Sequence, residues 1–388
     1  MMLSSRVAPG ARFTLNMLCV AAALTGASVA RAQGNLSTQG FGFPQGQMSS
    51  RALGTGGAIG EIDPASPRNP AAISLFGGTT LIFQIEPEYR RVHTPAKVDF
   101  TTTARYPLVL VAIPIRSRGM FSVAASTLLD RTWETSVPDT QPISGENQPG
   151  NTTRKVDGSI SDLRFSGAYT VAPWLSLGLG VHMLSGSNLV TVRRTFVDSV
   201  RFGAFADTTI LSYNGGAVSF GAQLIGGKVA TLGVSYRIGG SMKASVGDTT
   251  LSRASAPDAF GVSLAYVGIQ GTTIAVRTAY DKWSDLQSLG DDATIAHNAW
   301  DSSVGADIAG PRFGATTFML RTGFRWRALP YEAENHVVKE RSASFGIGAP
   351  FANGRVLLDA SAIRAARSAD INFFERAWTF SIGLTAHP

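Results

Sequence analysis

Apolar and polar side chains alternate with a period of two along most of the chain after residue 79. In the segment TTFMLRTGFRWR, Phe318, Leu320, Phe324 and Trp326 share one face, while arginine and glycine fill much of the other. Successive side chains of a β-strand point to opposite faces, so this alternation predicts strands. Fourteen segments with this pattern lie near residues 79–91, 98–115, 119–134, 157–172, 174–190, 209–226, 229–246, 257–269, 271–284, 298–309, 314–328, 339–348, 354–364 and 374–386.

One face of the predicted strands is large and apolar, and the other is small or charged. Leu175, Leu177 and Leu179, for example, alternate with Ser176 and Gly178. The small residues predict that no tight hydrophobic core forms on their side. Only 16% of the residues are charged, below the roughly 25% typical of soluble domains. This composition favours a sheet whose apolar face meets lipid and whose polar face lines a lumen. Aromatic residues near strand ends predict interface girdles; they are Trp174, Tyr213, Tyr280, Trp283 and Trp326.

The connections between these strands alternate in length. Short ones such as RSRG, GGK and GPRFG are followed by long ones such as SVPDTQPISGENQPGNTTRK, with the short loop around His93 as the one exception. A membrane barrel with both termini in the periplasm has short turns at that end and long external loops at the other. The sequence therefore predicts an all-β fold, a transmembrane antiparallel β-barrel of about fourteen strands. A soluble β-sandwich has no reason to sort its loops in this way.

Residues 1–32 have the pattern of a secretory signal peptide. Arg6 and Arg12 precede the apolar run FTLNMLCVAAALTG, and an Ala-Arg-Ala cleavage pattern ends at Ala32. The single cysteine, Cys19, lies within this segment and follows a leucine, so lipidation is not expected. Subtracting the three arginines of the segment from the 34 basic residues leaves 31 against 27 acidic residues, a net charge of +4. That balance does not indicate a nucleic-acid partner.

A glycine cluster, RALGTGGAIGEIDPASPRNPAA, lies between the signal peptide and the first predicted strand. No strand precedes it, the spacing of its glycines differs from the dinucleotide fingerprint, and no Gly-Lys-Ser/Thr follows, so a phosphate-binding loop is not predicted. Pro64, Pro67 and Pro70 disfavour regular helix. We therefore interpret residues 33–78 as a plug (hatch) that sits inside the barrel.

This cluster resembles the N-terminal region of the FadL-type outer-membrane transporters and their PorV-like relatives. The resemblance lies in a glycine-alanine run, an acid and then Asn-Pro-Ala; the matching residues are Gly54, Gly56, Gly57, Ala58, Asp63, Asn69, Pro70 and Ala71. It implies a fourteen-stranded barrel with an N-terminal hatch in a Gram-negative outer membrane. It also implies assembly by the barrel-assembly machinery, contact with outer-membrane lipid, and a small hydrophobic ligand. The chain departs from such barrels in ending with Pro388 rather than an aromatic residue.

The predicted organisation is a signal peptide (1–32), a plug (33–78) and a barrel (79–388). Arginines on the predicted lumen face are candidates to receive a ligand carboxylate through bidentate hydrogen bonds. They are Arg237, Arg277, Arg321, Arg325 and Arg327. The alternative interpretation, which we favour, is a polar network that links plug and wall, or simply a solvated lumen.

The predicted function is passive uptake of small hydrophobic molecules such as fatty acids, with no cofactor and no enzymatic activity. The alternatives are a PorV-like barrel that serves protein secretion or cargo attachment, and a general porin. The five histidines are scattered, and neither metal-ligand spacing nor a G-x-S-x-G elbow is present. Carboxylates and histidines on different strands can still converge in space, which leaves a barrel-embedded hydrolase open.

Overall fold

The computed structural model describes residues 42–388 except 94–97, 144, 228, 290–295, 315, 334–335 and 371–372. These residues belong to one compact unit, Ala32–Pro388. The predicted signal peptide lies outside the described residues. Seventeen strands are described: β1 (Phe43–Pro44), β2 (Thr80–His93), β3 (Val98–Ile115), β4 (Gly119–Asp130), β5 (Trp133–Ile143), β6 (Glu146–Ala172), β7 (Leu175–Phe196), β8 (Phe205–Gly226), β9 (Ala230–Val246), β10 (Thr249–Ser255), β11 (Ala259–Ile269), β12 (Thr272–Asp281), β13 (Ala299–Phe313), β14 (Thr316–Ala333), β15 (His336–Phe351), β16 (Val356–Asp370) and β17 (Phe373–Ala386).

Fourteen of these strands form a closed antiparallel barrel. Leaving out β1, β5 and β10, each strand pairs with its neighbours along the chain, and β17 pairs with β2 to close the ring. Closure removes the exposed sheet edges that would otherwise leave backbone groups unpaired in lipid. Strand β5 extends the wall beside β6, β10 extends it beside β9, and β1 pairs with β4. The prediction of fourteen barrel strands is confirmed.

The two faces of the wall have the composition that the alternation predicted. Outward side chains are large, apolar and exposed; Leu177, Leu179 and Phe324 are 47%, 49% and 53% exposed. Inward side chains such as Arg321 and Ser219 are buried. A closed barrel with an apolar outer belt is the form in which strands cross a bacterial outer membrane, so the chain lies in that membrane. Among the described residues, no helix has the length and hydrophobicity to span a bilayer.

Two details of the sequence-based prediction were wrong. The long connections are largely built from strands that continue beyond the apolar belt: β6 begins at Glu146 and β7 ends at Phe196, although we predicted limits of 157 and 190. Tyr213 and Trp283 do not belong to an interface girdle, because both are buried inside the barrel. Trp174 and Trp326 are exposed, as a girdle requires.

Residues 42–78 contact the inner face of the wall before the chain enters β2. They contain one short helix, α1 (Ser50–Gly54), and a 3-10 helix, Ala72–Phe76. Ser49 caps α1, because its side-chain oxygen accepts a hydrogen bond from the Ala52 amide. Two further 3-10 helices, Trp283–Leu289 and Ala352–Gly354, follow β12 and β15. We call residues 42–78 the plug segment.

Candidate functional site

The plug segment makes one circuit of the inner wall, in the direction opposite to the strand order. Ser50 hydrogen-bonds Ser381 of β17 at 2.7 Å, and the Gly54 carbonyl accepts from Ser344 of β15. Further along the segment come Glu61 beside β11 and β12, Asn69 beside β8, Ala71 beside β7 and Ile73 between β4 and β6. The segment therefore contacts almost every side of the lumen.

Wall glycines make room for this circuit. At seven inward positions a Cβ atom would lie less than 3.0 Å from an atom of the plug segment; they are Gly178, Gly221, Gly233, Gly261, Gly305, Gly323 and Gly383. At Gly305 and Gly323 the plug atoms belong to the Thr55 backbone. These glycines are paired across β13 and β14, so together they form a flat place where two backbones can approach. The small residues of the inner face are thus explained by contact with the plug segment.

The resemblance motif lies within this circuit. Gly56 and Gly57 have φ angles of 68° and 89°, a region that favours glycine. Ala58 is fully buried, and Pro70 and Ala71 lie against Gly178 of the wall. Asp63 accepts hydrogen bonds from the hydroxyls of Ser49 and Ser66, which ties the start of α1 to the turn at residues 63–66. Asn69 closes a turn through the Ala71 amide and also donates to the Ala222 carbonyl of the wall.

Glu61 is the most strongly bound plug side chain. It is fully buried and accepts from Arg277 Nε at 2.8 Å, from Ser263 Oγ at 2.7 Å and from Arg68 Nε at 3.2 Å. Glu61 belongs to the plug segment and not to a membrane-spanning strand. Burial alone would raise the pKa of its carboxyl, but Arg277 and Arg68 outweigh burial and hold the pKa below its ordinary value. Glu61 is therefore charged and paired in the closed barrel.

All five candidate arginines face the lumen, but most of them already have acidic partners. Arg277 and Arg325 both bind Asp301, at 2.7 and 2.6 Å. Arg321 binds Asp359 at 2.5 Å, and Arg327 binds Glu340 at 2.6 Å. These contacts lie within the wall, and Arg277 in addition binds Glu61 of the plug segment. Arg321, Arg325 and Arg327 mostly bind wall carboxylates, and Arg327 also donates to the Pro44 carbonyl of the plug segment.

Arg237 differs from the other four. Its Nε donates to the Pro257 carbonyl at 3.2 Å, and it forms no ion pair with a described residue. It lines a cavity of about 30 Å³ together with Gln47 of the plug segment and with Leu128 and Trp283. A cavity of that size has room for one or two water molecules. Arg237 thus stands between the plug and an apolar part of the lumen.

That apolar part is a cluster of buried side chains in the extracellular half of the barrel. We call it the lumenal apolar cluster; it consists of Leu128, Leu129, Ile160, Leu184, Tyr213, Met242, Ala244, Ala256, Trp283, Leu286, Leu289, Ala296 and Ala299. The 3-10 helix Trp283–Leu289 contributes three of these side chains, because the chain folds inward after β12. We predicted that no hydrophobic core forms on the inner face, and this prediction was wrong for the extracellular half. Loops contribute part of the cluster, so strand alternation alone gave no signal for it.

Phe43 anchors the start of the plug segment among charged residues. Its ring lies 4.5 Å from the Arg367 guanidinium carbon, 4.9 Å from those of Arg105 and Arg327, and 5.7 Å from that of Arg90. Each distance is within the range of a cation–π contact. Glu88 binds several of these arginines and keeps the charges balanced. Alternation could not predict this cage, because its arginines come from β2, β3, β14 and β16, which only closure of the barrel brings together.

Asp162, His182 and Ser219 form a buried hydrogen-bonded chain in the same order, Asp–His–Ser, as the triad of a serine hydrolase. His182 Nδ1 lies 2.9 Å from Asp162 Oδ1, and His182 Nε2 lies 2.9 Å from Ser219 Oγ. Asp162 also accepts from Gln47 of the plug segment and from Arg164. The cavity beside Ser219 measures about 20 Å³, which holds about one water and no substrate. In this geometry the network fastens the plug segment to the wall.

Comparison with solved structures shows the same architecture. The chain is similar to a Pseudomonas aeruginosa FadL homologue, with a TM-score of 0.62 and 14% identity over 89% of this chain and 99% of that one. It is also similar to the P. putida toluene transporter TodX (TM-score 0.57, 12% identity, 90% and 99% covered) and to the Ralstonia pickettii toluene transporter TbuX (0.56, 13%, 91% and 99%). The chain has the FadL-type fold.

At these identities the comparison establishes the FadL-type fold and no more. No family model and no curated protein sequence matches the chain. The fold agrees with the resemblance noted in the sequence. That resemblance rests on the glycine cluster alone, whereas the structural similarity extends over the barrel.

Proposed function

We propose that the protein takes up small hydrophobic molecules across the outer membrane, without a cofactor or covalent chemistry. The observation that carries this proposal is the lumenal apolar cluster. Barrel interiors that conduct ions and polar solutes are lined by polar side chains. An apolar cluster in the extracellular half instead gives a hydrophobic solute a place to leave water, on the side from which it arrives.

The plug segment makes this a gated passage. Three cavities next to the plug measure about 40, 30 and 20 Å³, whereas sites for drug-sized ligands measure roughly 300–1,000 Å³. A solute held at the cluster can therefore proceed only when the plug segment or the side chains around it move. Barrels with an open aqueous channel usually have sixteen or more strands. The described geometry supports a general porin less well than a gated transporter.

The ligand class follows from Arg237. The FadL-type resemblance implies fatty acids, while two of the similar structures are named as toluene transporters. Arg237 lines a cavity with Leu128, Trp283 and Asp281, but it forms no ion pair within contact distance of a described carboxylate. A ligand with an apolar tail in the cluster could place a carboxylate at Arg237, where the guanidinium offers bidentate hydrogen bonds. We therefore propose hydrophobic carboxylates as ligands, with uncharged hydrocarbons as the weaker class.

Calorimetric titration of the purified protein in detergent tests both parts. Wild-type protein should bind a long-chain fatty acid, and Leu286→Asp should abolish binding because it places a charge within the apolar cluster. Arg237→Gln should weaken fatty-acid binding and leave toluene binding unchanged. Arg118→Gln, at an exposed turn, is the matched control and should change neither.

Other results would favour the alternatives. A large, steady conductance of intact protein in planar bilayers, without binding of either ligand, would indicate a porin. A stoichiometric protein partner that co-purifies from native membranes, again without ligand binding, would indicate the PorV-like role. If Arg237→Gln weakened the binding of fatty acid and of toluene equally, the assignment of carboxylates as ligands would be refuted, but the proposal of hydrophobic uptake would still stand.

A further inference from the structure

Five cations cluster on the outer face of the barrel, at the extracellular ends of β15, β16, β17 and β2. We call them the outer cationic patch; they are Arg91, Lys339, Arg341, Arg364 and Arg376. Strand alternation directs them outward: their chain neighbours Glu340, Ala365, Glu375, Ala377 and Val92 are all buried. The patch is therefore separate from the plug, the lumen arginines and the lumenal apolar cluster.

The pairing register brings three of the five cations, Arg91, Arg376 and Arg341, into one row, with Lys339 and Arg364 two positions away on their strands. Arg376 stands directly opposite Arg91 across β17 and β2. Ala366 of β16 stands between Arg376 and Arg341 in the same row. Residues directly opposite each other have Cβ atoms about 4.5–5.5 Å apart, and like charges in such pairs destabilise a sheet. The sheet thus tolerates a repulsive arrangement at this place.

No described carboxylate relieves that repulsion. None of the five cations forms an ion pair with a described residue, whereas Arg90 and Arg367, inward neighbours on β2 and β16, pair with Glu88. The glutamates of these strands, Glu88, Glu340 and Glu375, are buried on the inner face. The wall therefore supplies acidic partners to its inward arginines, and the outward ones are left for an external anion.

The patch also lies at the level of lipid headgroups. Tyr89 and Trp378 lie next to the patch on its membrane side, on β2 and β17. Further toward the membrane centre, the outward residues of β17 are apolar: Phe380, Ile382 and Leu384. The Arg364 guanidinium carbon lies 5.1 Å from the centre of the Trp378 ring. Aromatic residues mark the boundary between hydrocarbon and headgroups in such barrels. Because β17 runs toward the periplasmic C-terminus, this boundary is that of the extracellular leaflet.

We infer that the outer cationic patch binds the phosphorylated headgroup of a lipid in the extracellular leaflet. Guanidinium groups bind phosphate oxygens in pairs, and several arginines at one level of the wall suit a headgroup that carries more than one phosphate. The apolar rows below offer a surface for the acyl chains of the same molecule. A bound headgroup would convert the repulsion between Arg91 and Arg376 into attraction to a common anion.

The test uses the purified full chain in an uncharged detergent. Lipopolysaccharide, the phosphorylated glycolipid of that leaflet, is titrated while binding is followed by native mass spectrometry and by the unfolding temperature. Wild-type protein should bind and be stabilised, and Arg91→Gln/Arg376→Gln should weaken binding by about thirtyfold. The matched control, Arg118→Gln/Arg355→Gln, removes two exposed arginines from turns at the periplasmic end and should bind like wild type.

Three further arms make the result decisive. The same glycolipid without its phosphates should bind much more weakly than the phosphorylated form, and equal binding would refute the proposal. Stabilisation by inorganic phosphate at the same concentration would indicate a free-anion site and overturn the lipid assignment. If the double variant does not fold, Arg341→Gln replaces it, and unchanged affinity in that variant would count against the patch.

Discussion

The two halves of the lumen use the same strands in different ways. In the part crossed by the plug segment, inward positions are glycine, serine or paired arginine, and the plug backbone lies against the wall at Gly305 and Gly323. In the extracellular half, inward positions on β7 and β9 become apolar, such as Leu184 and Met242. Those on β2, β16 and β17 stay charged and paired around Phe43, such as Arg90, Arg367 and Glu375. The identity of an inward residue therefore reports what it faces: the plug backbone, a paired charge or the side chains of the lumenal apolar cluster.

This difference also separates the two kinds of interaction that hold the interior together. The plug segment is fixed by directional hydrogen bonds and ion pairs that bind tightly in one position. The lumenal apolar cluster is held by non-directional burial, which a hydrophobic solute can replace without leaving a polar group unpaired. Directional pairing and non-directional burial are the two properties that the proposed gate and the proposed solute site would need.

Removing the plug segment is the strongest test of the difference between the two parts of the lumen. Deletion of residues 34–65 should leave a folded barrel, because the wall ladder closes through β2 and β17 without it. The deleted protein should conduct ions steadily in planar bilayers, where the intact protein conducts little. Strand-dominated circular dichroism serves as the folding control. A folded deletion variant that conducts no better than intact protein would show that the segment is not a gate.

Replacing Glu61 tests the polar half. Glu61→Leu should lower the free energy of unfolding by about 3–5 kcal/mol, because Arg277 would keep its burial and lose a charged partner. Denaturant titration in detergent gives the value. Asp157→Asn is the matched control: its pair with Lys155 is exposed on both sides, so the expected change is about 0–1 kcal/mol. Similar losses in both variants would mean that the Glu61 site is wetter than its burial indicates.

Glycine replacement tests whether close backbone approach matters. Gly323→Leu should destabilise the protein by about 1–3 kcal/mol through overpacking and raise its conductance, because the side chain would occupy the place of Thr55. Gly167→Leu, on the outer face of β6, has no atom within 4 Å of the added Cβ and should fold normally. Heat-modified migration in detergent gels and bilayer conductance report the two effects. A larger effect at Gly167 would contradict the assignment of the faces.

Acid titration should have the smallest effect. The folded pKa of Glu61 lies below its ordinary value of 4.5, so its contribution to stability is complete above that value and is lost as the pH falls through the folded pKa. Conductance should therefore stay constant from neutral pH down to the ordinary pKa and rise only in stronger acid. Glu61→Gln should lack that acid step. A rise between neutral pH and the ordinary pKa would assign the gate to another group.

Sequence alternation predicted the barrel well, because the residues of each strand alone show which of its faces meets lipid. The limits of β3, Val98–Ile115, were predicted to the residue, and all fourteen barrel strands were found. The strand ends were less accurate where the wall continues beyond the membrane, as in β6 and β7. There both faces are polar, so the alternation that marks a strand in lipid disappears.

The interior was predicted only in part. The inward orientation of Arg277 and Arg325 followed from alternation, but their shared partner Asp301 comes from another strand, and its place depends on register. The lumenal apolar cluster needed an inward fold after β12, which no periodic pattern marks. The convergence of Asp162, His182 and Ser219 likewise depends on which strands are neighbours and how they align.

The circuit of the plug segment sets the order in which the molecule can be assembled. Ser50 precedes every barrel strand in the chain, yet its hydroxyl meets Ser381 in the last of them, 331 residues away. Contacts that distant in sequence form late, since the loop they close is nearly the whole chain. The contact between Ser50 and Ser381 therefore needs β17, the last strand of the chain, to be in place. The start of the plug segment depends less on closure of the ring, because Phe43 and Pro44 pair with β4.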